Sequence, residues 1–173
     1  MPTLFLVRHA EPALTGVLLG RLDPPLSEAG RAQADGILAG ISMKLAAVYC
    51  SPLLRARETA DAMSSRAPII LDELLEIGYG DWDGNSWSEI ERRWPDLARA
   101  KQDDWFGVTP PDGERWVDFR TRVVRAAGVI RRGPLPAAVV AHAAVNAVLA
   151  EEFAGADPLS FQQSYGEVLS IEI

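Results

Sequence analysis

Short apolar runs alternate along the chain with longer stretches of mixed polar and apolar residues. Four of these runs lie at residues 3–7, 47–50, 136–141 and 168–173. A fifth candidate, at residues 69–71, follows Pro68. Each run has the length of a buried strand and is bounded by polar or turn residues. Because the runs are apolar throughout, they predict strands that are covered on both faces, as in α/β sheets.

The stretches between the runs carry helix start signals. Ser27 can cap a helix that reaches about Leu38. Ser51 and Pro52 offer a capping hydroxyl followed by a proline at the first helical position, which predicts a helix over residues 53–64. Further helices are predicted at residues 86–93, 114–132 and 144–153. Strand and helix alternate, so the predicted fold class is α/β, with helices on both sides of a sheet.

The segment 82–116 differs in composition from the rest of the chain. It holds several Pro and Gly residues and all five tryptophans, which are Trp82, Trp87, Trp94, Trp105 and Trp116. Packing accounts for most such aromatic residues, but an irregular insertion over a sheet edge is also how lids and substrate pockets are built. We therefore interpret residues 1–173 as a single domain and residues 82–116 as an irregular, Trp-rich lid or substrate-pocket insertion within it.

Composition and charge narrow the class of protein. The length of 173 residues suits one domain with a hydrophobic core. A net charge of −7 and a pI near 4.8 disfavour a general binder of nucleic acid or of anionic membranes. The single cysteine, Cys50, excludes an internal disulfide framework, and no apolar run approaches the length of a membrane span. These features predict a cytoplasmic protein with Cys50 as a buried structural thiol.

The chain has only two histidines, and both come directly after apolar runs. His9 follows the run at residues 3–7 and Arg8, and His142 follows the run at residues 136–141. Open α/β sheets place their ligand sites at the carboxyl ends of the strands. A histidine by itself is more often a satisfied surface or core residue, so these positions indicate a site without establishing one.

Arg55 is a third candidate at the same edge of the sheet. It falls in the first turn of the helix that is predicted to follow residues 47–50. An arginine there opposes the helix dipole, which favours anions at a helix N-terminus. A bound phosphate would relieve the conflict by accepting from both the guanidinium and the free helix N–H groups. An ordinary solvated arginine is the alternative.

Five blocks along the chain carry these residues in a recognisable order. They are residues 6–11 (LVRHAE), 23–34 (DPPLSEAGRAQA), 51–60 (SPLLRARETA), 75–84 (LEIGYGDWDG) and 139–142 (VVAH). Together they resemble the histidine phosphatase (phosphoglycerate mutase-like) superfamily, and they cover nearly the whole chain. The resemblance implies a three-layer αβα sandwich around a central mixed, mostly parallel sheet. The compact length and the ending are most similar to the alpha-ribazole phosphatase and broad-specificity phosphatase branch.

The resemblance implies a catalytic role for five residues. His9 would be the nucleophile that takes the phosphoryl group. Arg8, Arg55 and His142 would bind the phosphate oxygens. Glu76 would give a proton to the leaving group and then activate water. A surface carboxylate is the alternative for Glu76, because several acidic residues surround it in the sequence.

Two further residues are candidate contacts to the substrate. Arg21 lies on the loop after the nucleophile, where members of the family often touch the substrate phosphate, and a solvated loop arginine is the alternative. Ala143 follows His142 and keeps a backbone N–H that can meet a phosphate oxygen.

Phosphoryl transfer sets requirements that these residues can meet. It asks mainly for positioning and for charge on the phosphate oxygens, which two arginines and a second histidine supply without a metal. His9 must be neutral at the attacking nitrogen, so its other ring nitrogen should donate to a backbone carbonyl or a carboxylate. Glu76 must be protonated in the first step, so burial should raise its pKa.

Several positions depart from the family pattern. Ala10 replaces a common Gly, Pro12 a frequent Thr and Thr15 a frequent Asn, while Ala143 and Ala144 replace a Gly pair. Contacts from the backbone N–H groups survive if φ stays negative at the alanines, whereas a positive φ would strain the loop. The departures leave altered specificity or weakened activity open.

The leading hypothesis is a metal-independent phosphatase that acts on a small phosphorylated metabolite through a phosphohistidine on His9. It would need no cofactor and would be a monomer or a homodimer, and alpha-ribazole phosphate is a candidate substrate. One alternative is phosphoglycerate mutase-type phosphoryl transfer, for which the chain is short. Another is a non-catalytic phosphate-binding module on the same scaffold. A metal hydrolase is disfavoured, because two histidines and one cysteine with no H-x-x-x-H or C-x-x-C spacing leave few ligands.

Overall fold

A five-stranded sheet lies at the centre of the computed structural model, which describes residues 2–63 and 67–173. Its strands are β1 (Thr3–Arg8), β2 (Ala47–Cys50), β3 (Ile69–Ile70), β4 (Ala137–Ala141) and β5 (Val168–Glu172). Across the sheet the order is β3-β2-β4-β1-β5. Neighbours among the first four strands run parallel, whereas β5 pairs antiparallel with β1. The prediction of a mixed, mostly parallel sheet is therefore confirmed.

Helices connect the strands. In the described residues they are α1 (Glu28–Ile37), α2 (Leu54–Met63), α3 (Trp87–Arg93), α4 (Pro95–Asp103), α5 (Trp116–Arg131) and α6 (Ala143–Ala154). Short 3₁₀ turns lie at Leu38–Gly40, Asp72–Leu74 and Gly80–Trp82. The Ser27 hydroxyl accepts from the Gly30 N–H and caps α1, as predicted.

Side chains that alternate along β1 face the two helical layers. Leu6 belongs to a buried cluster that includes Phe119 of α5 and Val148 of α6. Val7 belongs to a separate cluster on the other face, with Ile37 of α1 and residues of α2. Successive residues of a strand point to opposite faces, so each face of the sheet is covered by its own pair of helices. The three-layer αβα arrangement is confirmed.

The parallel pairing of β1 with β4 brings the two histidines together. Arg8 lies opposite Ala141 in the register of the two strands. The His9 N–H donates to the Ala141 carbonyl over 2.9 Å and continues the pairing by one residue. His142 follows Ala141 directly, so both histidines leave the sheet at the same carboxyl-terminal edge.

The start of α2 differs from the prediction. The helix begins at Leu54, so Pro52 precedes it and does not occupy its first position. The Ser51 hydroxyl lies 2.8 Å from His142 Nε2, and its distance to the Leu53 N–H is a long 3.4 Å. The Ser51 hydroxyl therefore contacts His142, at the end of the neighbouring strand β4, and does not cap α2. Ser64, the predicted end of this helix, lies outside the described residues.

The segment 82–116 is more regular than predicted. Besides α3, which has a capping box between Ser86 and Glu89, it contains α4, which the prediction missed. Pro95 occupies the first turn of α4, and only Trp94 separates this helix start signal from the end of α3. The helix predicted from residue 114 begins only at Trp116, because the backbone of Arg115 is extended and the Glu114 N–H donates to the Gly78 carbonyl.

The two edge strands are less covered than predicted. Ile69 and Ile70 of β3 are exposed to 44% and 41%, and Leu169 of β5 is also partly exposed. An edge strand has a neighbour on one side only, so coverage of both faces holds for β1, β2 and β4 but not for β3 and β5.

Cys50 is buried, and burial raises the pKa of its thiol to about 12. Among the described residues, no helix is long and apolar enough to cross a membrane.

Leu6 and Leu169 provide a matched test of where the core lies. The two leucines are register partners in β1 and β5, but Leu6 is fully buried whereas Leu169 is 37% exposed. We expect Leu6→Ala to lower the free energy of unfolding by about 2–5 kcal/mol, because it leaves a cavity in the core. Leu169→Ala should cost about 1 kcal/mol or less. Urea unfolding followed by circular dichroism measures both, and equal costs would contradict this assignment of the core.

Candidate active site

His9 is buried at the end of β1 with one ring nitrogen occupied. Its Nδ1 lies 2.8 Å from the Ala10 carbonyl oxygen. A carbonyl can only accept a hydrogen bond, so Nδ1 carries the proton and Nε2 keeps its lone pair. The Ala10 N–H in turn donates to the Thr59 hydroxyl over 3.0 Å, which fixes the backbone that holds the ring. This is the tautomer that a nucleophilic Nε2 requires.

The surroundings of His9 keep its ring neutral. Burial lowers the pKa of His9 to about 3, and the positive charges of Arg55 and Arg8 act in the same direction. The hydrogen bond to Ala10 opposes this shift without cancelling it. At neutral pH the Nε2 lone pair is therefore available.

Arg8 precedes His9 and is held from one side. One of its terminal nitrogens donates to the Gln163 carbonyl over 2.6 Å, and the guanidinium lies 4.1 Å from the centre of the Tyr165 ring. The Gln163 side chain is itself buried and donates to the Leu6 carbonyl of β1. Arg8 Nε is buried and has no hydrogen-bond partner among the described residues. The side chain is thus anchored while part of its donor capacity remains free.

Arg55 lies in the first turn of α2, as predicted, but it is completely buried. Its terminal nitrogens donate to the carbonyls of Leu19, Gly20 and Leu22 at 3.2, 3.1 and 2.8 Å. These carbonyl dipoles, together with the Asp23 carboxylate at 3.8 Å, stabilise the guanidinium at the helix N-terminus. No phosphate is needed to explain its position. Burial lowers the pKa of Arg55, and its Nε has no partner in the described part of the chain.

His142 occupies the position before the first residue of α6, where its side chain makes no capping hydrogen bond, and it is fully buried. Its ring centre lies 5.1 Å from that of His9. Burial lowers its pKa well below the usual value, and the nearby His9, Arg55 and Arg8 add to this effect. Nε2 lies 2.8 Å from the Ser51 hydroxyl, whereas Nδ1 finds no partner among the residues described.

Glu76 is a buried carboxyl group and not a surface carboxylate. Burial raises its pKa, while the Ile77 N–H, which donates to Oε1 over 2.8 Å, and the charges of Arg55 and Arg8 oppose the rise. The net direction is upward, as the sequence analysis expected of a proton donor.

A partly buried ion pair holds the backbone around Glu76. Arg122 of α5 binds both carboxylate oxygens of Glu114 at 2.7 and 2.8 Å. The same guanidinium donates to the carbonyls of Glu73, Leu75 and Glu76 at 2.8, 2.6 and 3.0 Å. A planar fork that uses so many donors fixes the loop rigidly, which sets the position of the Glu76 side chain.

A cavity of about 550 Å³ opens above these groups. Arg8, His9 and Glu76 line its polar part, and Ala143 and Ala144 at the start of α6 also line it. Its remaining wall combines aliphatic residues such as Leu18 and Leu159 with six aromatic ones, which are Tyr79, Trp105, Phe106, Trp116, Phe161 and Tyr165. The arrangement can hold an anion at its polar groups and a planar apolar group against its aromatic side chains.

The structure treats the other predicted contacts differently. Ala143 reaches the cavity, but Arg21 does not, because its guanidinium pairs with Glu114 at 3.3 Å and lines a separate groove with Asp83. Arg55 and His142 are fully buried and do not line the open cavity.

The tryptophans of the segment 82–116 divide between two roles. Trp105 and Trp116 line the cavity. Trp82 is completely buried and packs against Trp87 and Trp94. Packing and pocket formation are thus both represented, with core packing for the larger share.

Several residues that contact the site residues could not be identified from the sequence. Gln163 and Tyr165 hold Arg8 from the connection between α6 and β5, where no hydrophobic period or motif marks them. The sequence predicts Ser51 as a helix cap and Glu114 as the first residue of a helix, whereas their side chains contact His142 and Arg122. Only tertiary contacts reveal these roles.

The alanine substitutions in the family pattern do not strain the backbone. Among the described residues, Asp112 is the non-glycine position with positive φ, so Ala10, Ala143 and Ala144 all have negative φ. Their N–H groups are therefore retained in ordinary conformations. Ala143 and Ala144 continue into α6 as its first turn.

Comparison with known proteins points to one family. Among curated relatives, a bifunctional protein of Mycobacterium tuberculosis is 35% identical over 130 residues, which cover 70% of this chain and 35% of that protein. The adenosylcobalamin/alpha-ribazole phosphatase of Escherichia coli is 33% identical over 130 residues, covering 70% of this chain and 63% of that enzyme. The chain thus spans about a third of the first relative and less than two thirds of the second.

Solved structures give the same result over the whole chain. The alpha-ribazole phosphatase from Shigella flexneri superposes with a TM-score of 0.87 at 27% identity, covering 99% of this chain and 90% of that one. The family model described as Histidine phosphatase superfamily (branch 1) matches residues 4–173. The phosphoglycerate mutase-like fold expected from the sequence is confirmed, and the chain belongs to the histidine phosphatase superfamily.

Proposed function

We propose that this protein is a metal-independent phosphatase that hydrolyses a small phosphomonoester through a phosphohistidine on His9. The main support for the proposal is a set of unpartnered nitrogens on three residues that act on His9, since the His142 ring centre lies 5.1 Å from that of His9 and the charges of Arg55 and Arg8 lower the pKa of His9. Arg8 Nε, Arg55 Nε and His142 Nδ1 are all buried without a hydrogen-bond partner among the described residues. Buried polar groups are rarely left unpaired, and three at one place support a bound oxyanion as their partner.

The first step forms a bond between His9 and phosphorus. The Nε2 lone pair attacks the phosphorus atom, and the bond from phosphorus to the ester oxygen breaks with its electron pair on that oxygen. Protonated Glu76 gives its proton to the departing oxygen, so the leaving group departs as a neutral alcohol. The Arg8 and Arg55 guanidinium groups hold the charge on the other phosphate oxygens.

The second step returns the enzyme to its starting state. Glu76, now a carboxylate, takes a proton from a water molecule as that water attacks phosphorus. The bond from phosphorus to Nε2 breaks, and inorganic phosphate leaves with the lone pair restored on His9. The covalent intermediate divides one difficult displacement into two easier ones. The raised pKa of Glu76 suits a group that alternates between acid and base.

The walls of the cavity support a substrate with an aromatic leaving group. Six aromatic side chains line the cavity, and Arg8 is the cationic side chain among the described residues that line it. A second phosphate or a carboxylate on the leaving group would therefore lack a counter-charge. A nucleoside monophosphate-like ester such as alpha-ribazole phosphate, whose base is aromatic, fits these walls. The similarity of this chain to two alpha-ribazole phosphatases supports the same choice of substrate.

Replacement of His9 tests the nucleophile. We expect His9→Ala to lower turnover of p-nitrophenyl phosphate by about 10⁴-fold or more, since the covalent route is lost. Lys44→Ala, an exposed position before β2 at the opposite edge of the sheet, is the control and should keep full activity. Turnover should persist in EDTA, and an alkaline quench should trap phosphate on the wild-type protein but not on His9→Ala.

Two results would contradict this proposal. Strict dependence on an added metal would remove the metal-independent mechanism. Tight phosphate binding without any turnover between pH 5 and pH 8 would favour a non-catalytic phosphate-binding module.

The Glu76→Gln variant tests the proton donor. In the wild type, kcat/KM should fall as the pH rises through the raised pKa of Glu76, because only the protonated form can assist the leaving group. Glu76→Gln should lose this alkaline limb. Its activity should fall by about 10²–10⁴-fold on glycerol phosphate, but less on p-nitrophenyl phosphate, whose leaving group needs little protonation. Asp72→Asn, an exposed carboxylate nearby, is the control, and an unchanged pH profile in Glu76→Gln would refute the assignment.

Trp105→Ala tests the aromatic wall. Trp105 lines the cavity and is 38% exposed. We expect KM for alpha-ribazole phosphate to rise about three- to tenfold, the range of one aromatic contact. The kcat/KM for glycerol phosphate should stay within about twofold. A panel that includes 3-phosphoglycerate measures the selectivity, and preference of the wild type for that anion would contradict an aromatic substrate.

A further inference from the structure

Ser51 and His142 form a buried pair at the site. Ser51 follows β2 and His142 follows β4, and these strands are parallel neighbours. The Ser51 N–H donates to the Val140 carbonyl over 3.0 Å, so the pairing of the strands continues up to this residue. Both side chains are completely buried, with Ser51 Oγ 2.8 Å from His142 Nε2. The distance alone leaves open which of the two atoms supplies the proton.

The other hydrogen bonds of Ser51 decide the direction. The Leu53 N–H donates to Ser51 Oγ over 3.4 Å, so the hydroxyl oxygen already accepts weakly from the backbone. If His142 also donated, the hydroxyl proton would be buried with no acceptor left for it among the described residues, which is costly. If Ser51 donates instead, its proton has His142 Nε2 as acceptor and its oxygen keeps the Leu53 contact. The second arrangement satisfies every polar group of Ser51.

We propose that Ser51 is a positioning residue that donates its hydroxyl proton to His142 Nε2 and so keeps the ring in the Nδ1–H tautomer. Nδ1, the nitrogen that lacks a partner, then becomes a hydrogen-bond donor to a phosphate oxygen of the substrate. The inference rests on the proposed phosphatase function for its consequence, but the tautomer itself can be measured without turnover.

Burial makes the tautomer matter. Because His142 has a pKa well below the usual value, the ring is neutral and only one of its nitrogens carries a proton. With the proton on Nε2, Nδ1 would present a lone pair to an anion and repel it. With the proton on Nδ1, the same ring donates to the anion although it carries no net charge. Ser51 thereby decides whether His142 attracts or opposes the phosphate.

The two histidines would then share one tautomer and use it in opposite ways. The Ala10 carbonyl keeps the His9 proton on Nδ1, which leaves a lone pair on Nε2 for attack. The Ser51 hydroxyl keeps the His142 proton on Nδ1, which leaves that nitrogen free to donate. One partner is an acceptor and the other a donor, so each ring presents to the anion the atom type that its role needs.

Nitrogen-15 NMR of histidine-labelled protein tests the tautomer directly. The chain has only two histidines, so a His9→Asn sample assigns both rings. We expect wild-type His142 as the neutral Nδ1–H form at pH 7. In Ser51→Ala the Nε2–H form should appear, while Cys50→Ala, which removes one buried heavy atom from the preceding residue, should keep the wild-type tautomer. A wild-type His142 in the Nε2–H form, or an unaltered tautomer in Ser51→Ala, would overturn the proposal.

Steady-state kinetics give a second test of the role of Ser51. Ser51→Ala should lower kcat/KM for p-nitrophenyl phosphate by about tenfold, the worth of one neutral hydrogen bond, and Cys50→Ala should stay within about twofold. Inorganic phosphate should shift the His142 Nδ1 resonance in the wild type and should do so less in Ser51→Ala. Equal kinetics in the two variants would reject a positioning role for Ser51. Absence of turnover in the wild type would instead contradict the phosphatase, because the tautomer is measured separately.

Discussion

The parallel pairing of β1 with β4 is the constraint on which the site depends. Arg8 and Ala141 are opposite each other in register, so His9 and His142 leave neighbouring strands at the same height. Their ring centres are 5.1 Å apart, close to the spacing of hydrogen-bonded strands. The separation is thus set by backbone hydrogen bonds and not by a mobile loop. Ser51 lies at the same edge of the sheet as the two histidines, because β2 pairs with the other side of β4.

Burial of these groups creates an electrostatic problem that the structure meets with dipoles. Arg55 is surrounded by three backbone carbonyls, and its nearest carboxylate, on Asp23, is 3.8 Å away. Carbonyl oxygens stabilise the guanidinium without neutralising it, so its charge remains available to a phosphate. Both histidines stay neutral. A protein with a net charge of −7 can in this way concentrate positive charge at one position.

The elements that sequence reasoning predicted well are those with local signals. Apolar runs locate the strands, and parallel strands must end at a common edge, so the meeting of His9 and His142 follows from the pattern. The partners of Arg8 could not be predicted, because Gln163 and Tyr165 lie more than 150 residues away along the chain in a connection without a period. Ser51 shows a different failure. Serine is a common helix cap, but the Ser51 hydroxyl makes its short contact with His142 and not with the backbone of α2.

Chemistry and substrate selection are built on different parts of the fold. Of the proposed reactive groups, His9, His142 and Arg55 stand at strand ends or in a helix first turn, whereas Glu76 stands on a connection that the Arg122–Glu114 pair holds. Much of the aromatic wall stands on connections, with Trp105 and Phe106 after α4 and Phe161 and Tyr165 before β5. Connections tolerate substitution better than the elements that they join. The wall can therefore change to accept another leaving group while the strand pairing that brings His9 and His142 together stays as it is.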